Sequence, residues 1–305
     1  MSVGMISDKS ASSRGLPRQA SEYVWKRNSL WAALPTVTES DQKFVGLYAV
    51  YPDAAFIALH ATTSSGTYTV DWGDGTNEAV SSGTVAYHTY DYTDADLLST
   101  SLPYKQAIVT VTPTTANLLT VDINRKHSTS GLQAYDAGWL DITISLPNAS
   151  AGKPFVVSAY SQNVGVQELE VCTIKTLGAH TTMSYMFSSC SSLKSVPAFN
   201  TAAVTDMSNM FYNCYSLQSV PAFNTAAVTN MGSMFYGCSS LSNIDMSPIK
   251  TTLSLTNCKL SGDRLNEIYG NLGTGLTGKV ITVTGNYGVS ADDPTLVPSG
   301  WTVTG

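Results

Sequence analysis

Five cysteines and four histidines are the residues of this 305-residue chain that could supply a thiolate, an imidazole or a soft metal site. The cysteines are Cys172, Cys190, Cys214, Cys238 and Cys258. Their number is odd and no two stand as CxxC, so the ligand spacing of a structural zinc site is missing. His60, His88, His127 and His180 form no HExxH or related pair. No GxxxxGK[ST] loop is present to cradle a phosphate, and no GxSxG turn to raise a serine nucleophile. The stretch Asp71, Trp72, Gly73, Asp74, Gly75 brings two carboxylates together. Calcium takes six or more oxygens, and two acids fall short. Asp-Gly is also the dipeptide that supplies positive φ in a hairpin, so the stretch reads as a structural turn. Arg125, Lys126 and His127 read as a solvated basic loop. The expectation is a chain without catalytic residues, metal or cofactor, and not an enzyme.

Composition agrees with a passive, β-rich protein. Charged residues make up 12% of the chain, about half the usual share, while Ser (38) and Thr (36) are abundant. The net charge is −6 and the pI about 5.1. An acidic chain does not suit general binding to nucleic acid or to an anionic membrane. No run of 18 apolar residues is present, so no membrane insertion is expected. The charge is uneven. Residues 1–30 hold five cations against two acids, a balance of +3, which leaves −9 for the rest. The same stretch lacks the apolar core of a secretory signal. A basic segment on an acidic body is an interaction-tail pattern. We expect residues 1–40 to be an anchoring arm, with Arg14, Arg18, Trp25, Lys26, Arg27 and Trp31 as its contact residues.

The elements that position everything else come from a repeat. Residues 183–206 and 207–230 share 18 of 24 positions, and a third copy begins at Met231. Met183, Met207 and Met231 are in step, as are Phe187, Phe211 and Phe235, then Cys190, Cys214 and Cys238, then Leu193, Leu217 and Leu241. A weaker copy precedes them, with Leu169 and Cys172 in the places of Leu193 and Val196. Single copies of this length cannot bury an apolar face; stacked copies can. SLxSVPxF should give short strands pairing in parallel from coil to coil, with Asn200 and Asn224 as a polar ladder. Side chains stacked in register point the same way, so the thiols should stay reduced. MSxMFxxCxSLxSVPAFNTAAVTxM resembles the BspA-like leucine-rich repeats of bacterial surface proteins, mycoplasma lipoproteins and tailed-phage proteins. That resemblance implies a solenoid used for adhesion or display. Tyr185, Tyr212, Tyr215 and Tyr236 lie at its polar positions and are the candidate binding residues.

After the repeats, LSGDRLNEIYGNLGTG predicts a short helix N-capped by Ser261, with Leu265, Ile268 and Leu272 on one face. KVITVTGN and GWTVTG predict strands. Together they form a cap over the open end of the stack. The closing GWTVTG is similar to the ending of phage virion proteins that carry such repeats.

Before the repeats, FVGLYAVY, AFIALHAT, TYTVDWG, VAYHTY and QAIVTVTPT read as short strands of a β-sandwich. YTVDWGDGTNEAV followed by VAYHTYDY and IVTVTPT resembles the PKD domain, an immunoglobulin-like sandwich. The resemblance implies a spacer or interaction module, with His88 and Tyr90 as packing residues; the stretch YDYTDADLLSTSLPYK is longer than the usual connection. Residues 116–160 either extend the sandwich or begin the stack as irregular turns, and the second is expected because a stack needs an atypical first turn.

The expected fold is therefore mainly β: arm 1–40, immunoglobulin-like sandwich 41–115, leucine-rich-repeat solenoid 116–260 with clear repeats over 183–254, and a helix-containing cap 261–305. The expected role is a non-enzymatic virion protein of a bacteriophage, present in several copies. Its partners would be capsid or tail proteins and a host surface glycan or protein. A bacterial cell-surface adhesin is the alternative, and a glycan hydrolase a third class.

Overall fold

The computed structural model describes residues 27–52, 56–123, 125, 138–149 and 168–305, and the backbone of 155–156, 158–159 and 164–165. The chain is mainly β, with one α-helix among the described residues. Nine strands come first: β1 (Lys43–Val50), β2 (Phe56–Thr63), β3 (Thr67–Asp71), β4 (Asn77–Ser81), β5 (Val85–Thr89), β6 (Lys105–Pro113), β7 (Leu118–Asp122), β8 (Trp139–Ser145) and β9 (Phe155–Val156). β10 (Ser158–Ala159) and β11 (Val164–Gly165) pair with each other, and β12 (Val171–Thr176) follows. A six-stranded sheet runs β12-β8-β1-β6-β3-β4 and a four-stranded sheet β5-β2-β7-β9. Alternating Val, Ile, Leu and aromatic residues of both sheets bury one shared cluster that includes Tyr48, Leu59, Tyr68, Trp72, Val121 and Trp139. Gly46 lets this happen: a Cβ there would fall 2.3 Å from the Trp139 ring.

The range 116–160 departs from its expected place in the stack. β7 pairs antiparallel with β2, and β8 pairs antiparallel with β1, so both belong to the two-sheet unit. The reason is visible in the burial of β8, in which six of seven residues are buried; only a central strand has that much to gain. β8 nevertheless does close the stack. Its other edge pairs in parallel with β12, and Val171 of β12 bridges in parallel to Ser195, which bridges to Ser219. One strand is thus the end of the sheet and the first rung of the repeats.

The repeats pile up in the register the sequence gives them. Val171, Ser195, Ser219 and Asn243 are successive rungs, which places Leu169 in line with Leu193, Leu217 and Leu241. β13 (Ser219–Asn224) and β14 (Asn243–Ser247) pair in parallel, with an irregularity between Val220 and Phe223 where Pro221 has no N–H to give. Beside the strands, alternate N–H groups of residues 183–189 and 207–213 donate to the next coil. Met183, Tyr185, Phe187 and Ser189 donate to the carbonyls of Asp206, Ser208, Met210 and Tyr212; Met207, Asn209, Phe211 and Asn213 donate to Asn230, Gly232, Met234 and Tyr236. Phe187, Phe211 and Phe235 stack at 5.5 and 5.9 Å between centroids, with rings 6° and 3° from parallel. The expected Asn200 and Asn224 ladder is absent. Each Asn side chain accepts from the N–H two residues on, and the coil-to-coil link belongs to the next residue: Thr201 donates to the Asn224 carbonyl and Thr225 to that of Pro248.

The far end is closed as anticipated. β15 (Leu253–Ser254), β16 (Lys279–Thr282) and β17 (Trp301–Thr304) form a parallel sheet, and α1 (Gly262–Gly270) packs against β14. The Ser261 hydroxyl accepts from the Arg264 N–H at 3.3 Å, and Leu265, Ile268 and Leu272 are buried. None of the described helices is long and apolar enough to cross a membrane. Because Phe211 stacks between Phe187 and Phe235, Phe211→Ala should destabilise the chain by ~3–5 kcal/mol. Urea unfolding will read that loss directly, and an unchanged midpoint would contradict the stacked packing.

Candidate functional site

The acidic turn Asp71–Gly75 comes first. Asp71 ends β3 and its carboxylate accepts from the Gly73 N–H at 3.0 Å. Asp74 accepts from the Thr76 N–H and hydroxyl at 3.0 and 2.6 Å, and its other oxygen meets His88 Nε2 at 2.6 Å. His88 stacks flat on Trp72 at 5.0 Å, and the Tyr90 hydroxyl donates to the Trp72 carbonyl. Gly73 and Gly75 have φ of 79° and 82°, and a Cβ on Gly73 would lie 2.6 Å from Ile108 backbone atoms. Three of these four carboxylate bonds stay within the turn and the fourth ties it to His88 of β5, so the geometry is that of a hairpin device. His88 is more than packing, since it pairs with a buried acid. Among the described residues no three His, Cys, Asp or Glu converge on a metal position.

The anchoring residues divide. Arg14, Arg18, Trp25 and Lys26 lie outside the described residues. Arg27 and Trp31 are held by this chain's own sheet. Arg27 Nε donates to Asp141 at 2.5 Å, and its other nitrogens reach the carbonyls of Trp31 and Ala32. Trp31 is buried with Leu47, Ala49 and Leu140 on the outer face of the six-stranded sheet, and its indole N–H reaches the Tyr104 hydroxyl at 3.1 Å. This docking has a plain cause. β1 is buried on both faces, and its outer face needs a cover that the sequence pattern of the strand alone does not announce.

The thiols are structural. All five are buried and unpaired by disulfides. Cys214 donates to the Phe187 carbonyl at 3.0 Å and Cys238 to that of Phe211 at 3.1 Å, each bond reaching back one coil. Burial pushes the Cys214 and Cys238 thiols well up, and Cys258 to about 12, so none is a thiolate at neutral pH. Cys172 lies instead on β12, in line with Val196.

The tyrosines hold the candidate binding site. Tyr215 and Tyr236 are 50% and 60% exposed, which marks them as available contact area. Tyr212 stacks on Tyr236 at 4.9 Å and 12°. Tyr215 and Tyr236 border a cavity of about 400 Å³ whose lining also includes Asn213, Asn257, Ser239 and Thr256. No charged side chain lines it. Tyr185 does not join them. It is half-buried at a φ of 60°, in the place that Asn209 and Ser233 fill in later coils at 55° and 53°. The sequence reading missed why this position varies between copies: it is a left-handed backbone position, and Asn, well suited to such φ, was the available signal.

Residues 175–258 match the model of a family described as Mycoplasma protein of unknown function, DUF285. The DUF285 match spans the coils, from the end of β12 to the last cysteine of the ladder, and includes both tyrosines of the cavity. Nothing matches among the curated proteins or the solved structures.

The acidic turn generates a pH prediction. Burial opposes the Asp74 charge, but the bonds from Thr76 and His88 outweigh it and hold the carboxyl below its ordinary value. A depressed folded value gives stability that is present above the unfolded pKa, about 3.9, and is lost as pH falls through the folded one. Asp74→Asn should therefore cost ~1–3 kcal/mol at pH 7 and flatten the loss of stability below about pH 4. Denaturation at pH 7 and pH 3 checks both signs.

Proposed function

We propose that the chain is a non-enzymatic structural protein of a bacteriophage particle, anchored through its N-terminal region, that displays a leucine-rich-repeat solenoid for decoration or host-surface contact. The two-sheet unit acts as an immunoglobulin-like spacer of the PKD kind. Its support is the hairpin built on Asp71–Gly75 and clasped by His88 and Tyr90. The observation that carries the proposal is the pairing of a rigid stack with an exposed, uncharged tyrosine site at one end of its repeats. Arg27 and Trp31, which follow the basic segment 1–26, are held on the outer face of the six-stranded sheet. One region is thereby left for anchoring and another for contact. Five buried thiols without a disulfide suit folding in a reducing compartment, such as the host cytosol in which particles assemble.

A second reading, a bacterial cell-surface adhesin, has the DUF285 match in its favour, because that family is described from a mycoplasma protein. The two readings part in one experiment. Mass spectrometry of purified particles should find the full chain, and deletion of residues 2–26 should remove it while the soluble protein keeps its fold. Unchanged incorporation of the shortened chain would end the anchoring role. Recovery of the protein from bacterial surfaces and never from particles would favour the adhesin. Release of saccharide from host polymer would make it an enzyme.

A further inference from the structure

The stack contains a fault, and the cavity lies in it. Cys190, Cys214 and Cys238 are 24 residues apart, but Cys258 follows Cys238 after only 20. In the first three coils the segment after the repeat methionine, residues 184–189 and its copies, is a run of turns; in the fourth coil its place is taken by the extended β15. An extended strand and a run of turns present N–H and C=O groups at different spacings, so they cannot pair in register. The hydrogen bonds show the break. Ser233, Phe235 and Gly237 occupy the positions whose N–H groups, in the two preceding coils, donate forward, yet none makes such a bond. The backward thiol bond stops as well: Cys214 and Cys238 have it, and none joins Cys258 to Phe235. The forward ladder resumes after the fault, with Leu255 and Asn257 donating to the carbonyls of Thr282 and Thr284. Ser233, Phe235 and Gly237 line one wall of the cavity, and Ser254, Thr256 and Asn257 the other.

We propose that this fault is a binding site for a neutral saccharide, with Tyr236 and Tyr215 as the platforms on which sugar rings lie. This rests on the display reading of the preceding subsection and names its ligand class. The walls offer backbone donors that the stack leaves unused, together with the hydroxyls and amides of Ser239, Thr256, Asn213 and Asn257. Sugar hydroxyls both donate and accept, and so can satisfy such a mixed set. The C–H face of a sugar ring suits the electron-rich face of an exposed tyrosine. A volume of about 400 Å³ lies at the small end of the range for ligand sites, enough for a short saccharide unit. With no cation in the lining, an acidic sugar would find no counter-charge. An extended peptide would need successive side-chain pockets along an edge, and the fault offers one short pocket.

The full-length protein should be tested on an array of immobilised neutral di- to tetrasaccharides of glucose, galactose and mannose, beside sialylated and sulfated sugars and unglycosylated peptides. Binding to at least one neutral glycan is expected, confirmed by calorimetry with the free sugar. Tyr236→Ala should weaken it roughly tenfold or more, as truncation of a central contact aromatic does. Ser239→Trp, at an exposed position on the rim, should block it. Tyr287→Ala, an exposed aromatic outside the cavity, should leave it unchanged. Thermal melts will establish that each variant is folded. Binding of charged sugars or peptides alone, no binding at all, or neutral binding that survives both Tyr236→Ala and Ser239→Trp would each overturn the assignment. Failure here is distinct from failure of the display role, since particle incorporation is read separately and should be untouched by Tyr236→Ala.

Discussion

Each coil of the repeat can bury its apolar side only against a neighbour, and it is joined to that neighbour by bonds that run in both directions. Along residues 183–189 and 207–213 alternate N–H groups donate toward the C-terminal coil, while the N–H groups of Thr205, Ser216, Gln218 and Thr229 and the thiols of Cys214 and Cys238 donate back toward the N-terminal one. This explains a ladder of cysteine where alanine would fill a similar space. The thiol is small enough for the core and still gives a weak bond to a carbonyl inside it. A polar, directional stack also has unlike ends, and each must be closed differently. At the N-terminal end β8 supplies a strand already held on its other edge by β1. At the C-terminal end α1 and the parallel pair β16 and β17 take over. Ends left open would expose apolar rings and unpaired strand edges to association with other chains.

How far the sequence revealed this depends on how local each cause is. The coils, their register, the Phe and Cys ladders and the helix capped by Ser261 all follow from spacing within about one coil length, and all are present. The hairpin at Asp71–Gly75 was legible for the same reason, since Asp and Gly act on backbone two residues away. What was not legible is set by distant partners. β8 belongs to the two-sheet unit because β1, almost a hundred residues earlier, offers it an edge. Arg27 and Trp31 are tied to Asp141 and Tyr104, and no property of the basic segment itself foretells that. Of the four tyrosines expected at the binding surface, Tyr212, Tyr215 and Tyr236 gather at one place, and Tyr185 does not, because its backbone must take a positive φ there.

The outer face of the six-stranded sheet shows how the two halves of the molecule depend on each other. Segment 27–34 covers Leu47 and Ala49 of β1, and Val171 of β12 packs at the edge of the same cluster. β12 is also the rung on which the first clear coil builds. The buried Asp141 lies between them on β8, its carboxyl pushed up by burial even though Arg27 pulls it down. A charge so placed is costly without its partner, so the Arg27 contact fixes the path of the chain as well as covering the sheet. Attachment through the preceding residues would thus act on a segment already clamped to the strand that starts the stack.

A strictly periodic stack leaves little for a ligand, because its backbone groups satisfy one another and its side chains repeat. Binding capacity must come from a place where the period fails. Here the shortfall of four residues between Cys238 and Cys258 turns backbone donors that were structural in two coils into groups facing a cavity. The interruption has a cost in stability, since four forward bonds, those of Met231, Ser233, Phe235 and Gly237, and one thiol bond are lost at that junction, and each is worth ~1 kcal/mol or less. The flanking coils are regular and the cap is well bonded, so the stack can carry that loss without coming apart. Local failures of a fold's own rules are where function is expected. The tyrosines stacked across Tyr212 and Tyr236 stand beside this one, which is why an exposed aromatic pair there differs in meaning from aromatics elsewhere along the coils.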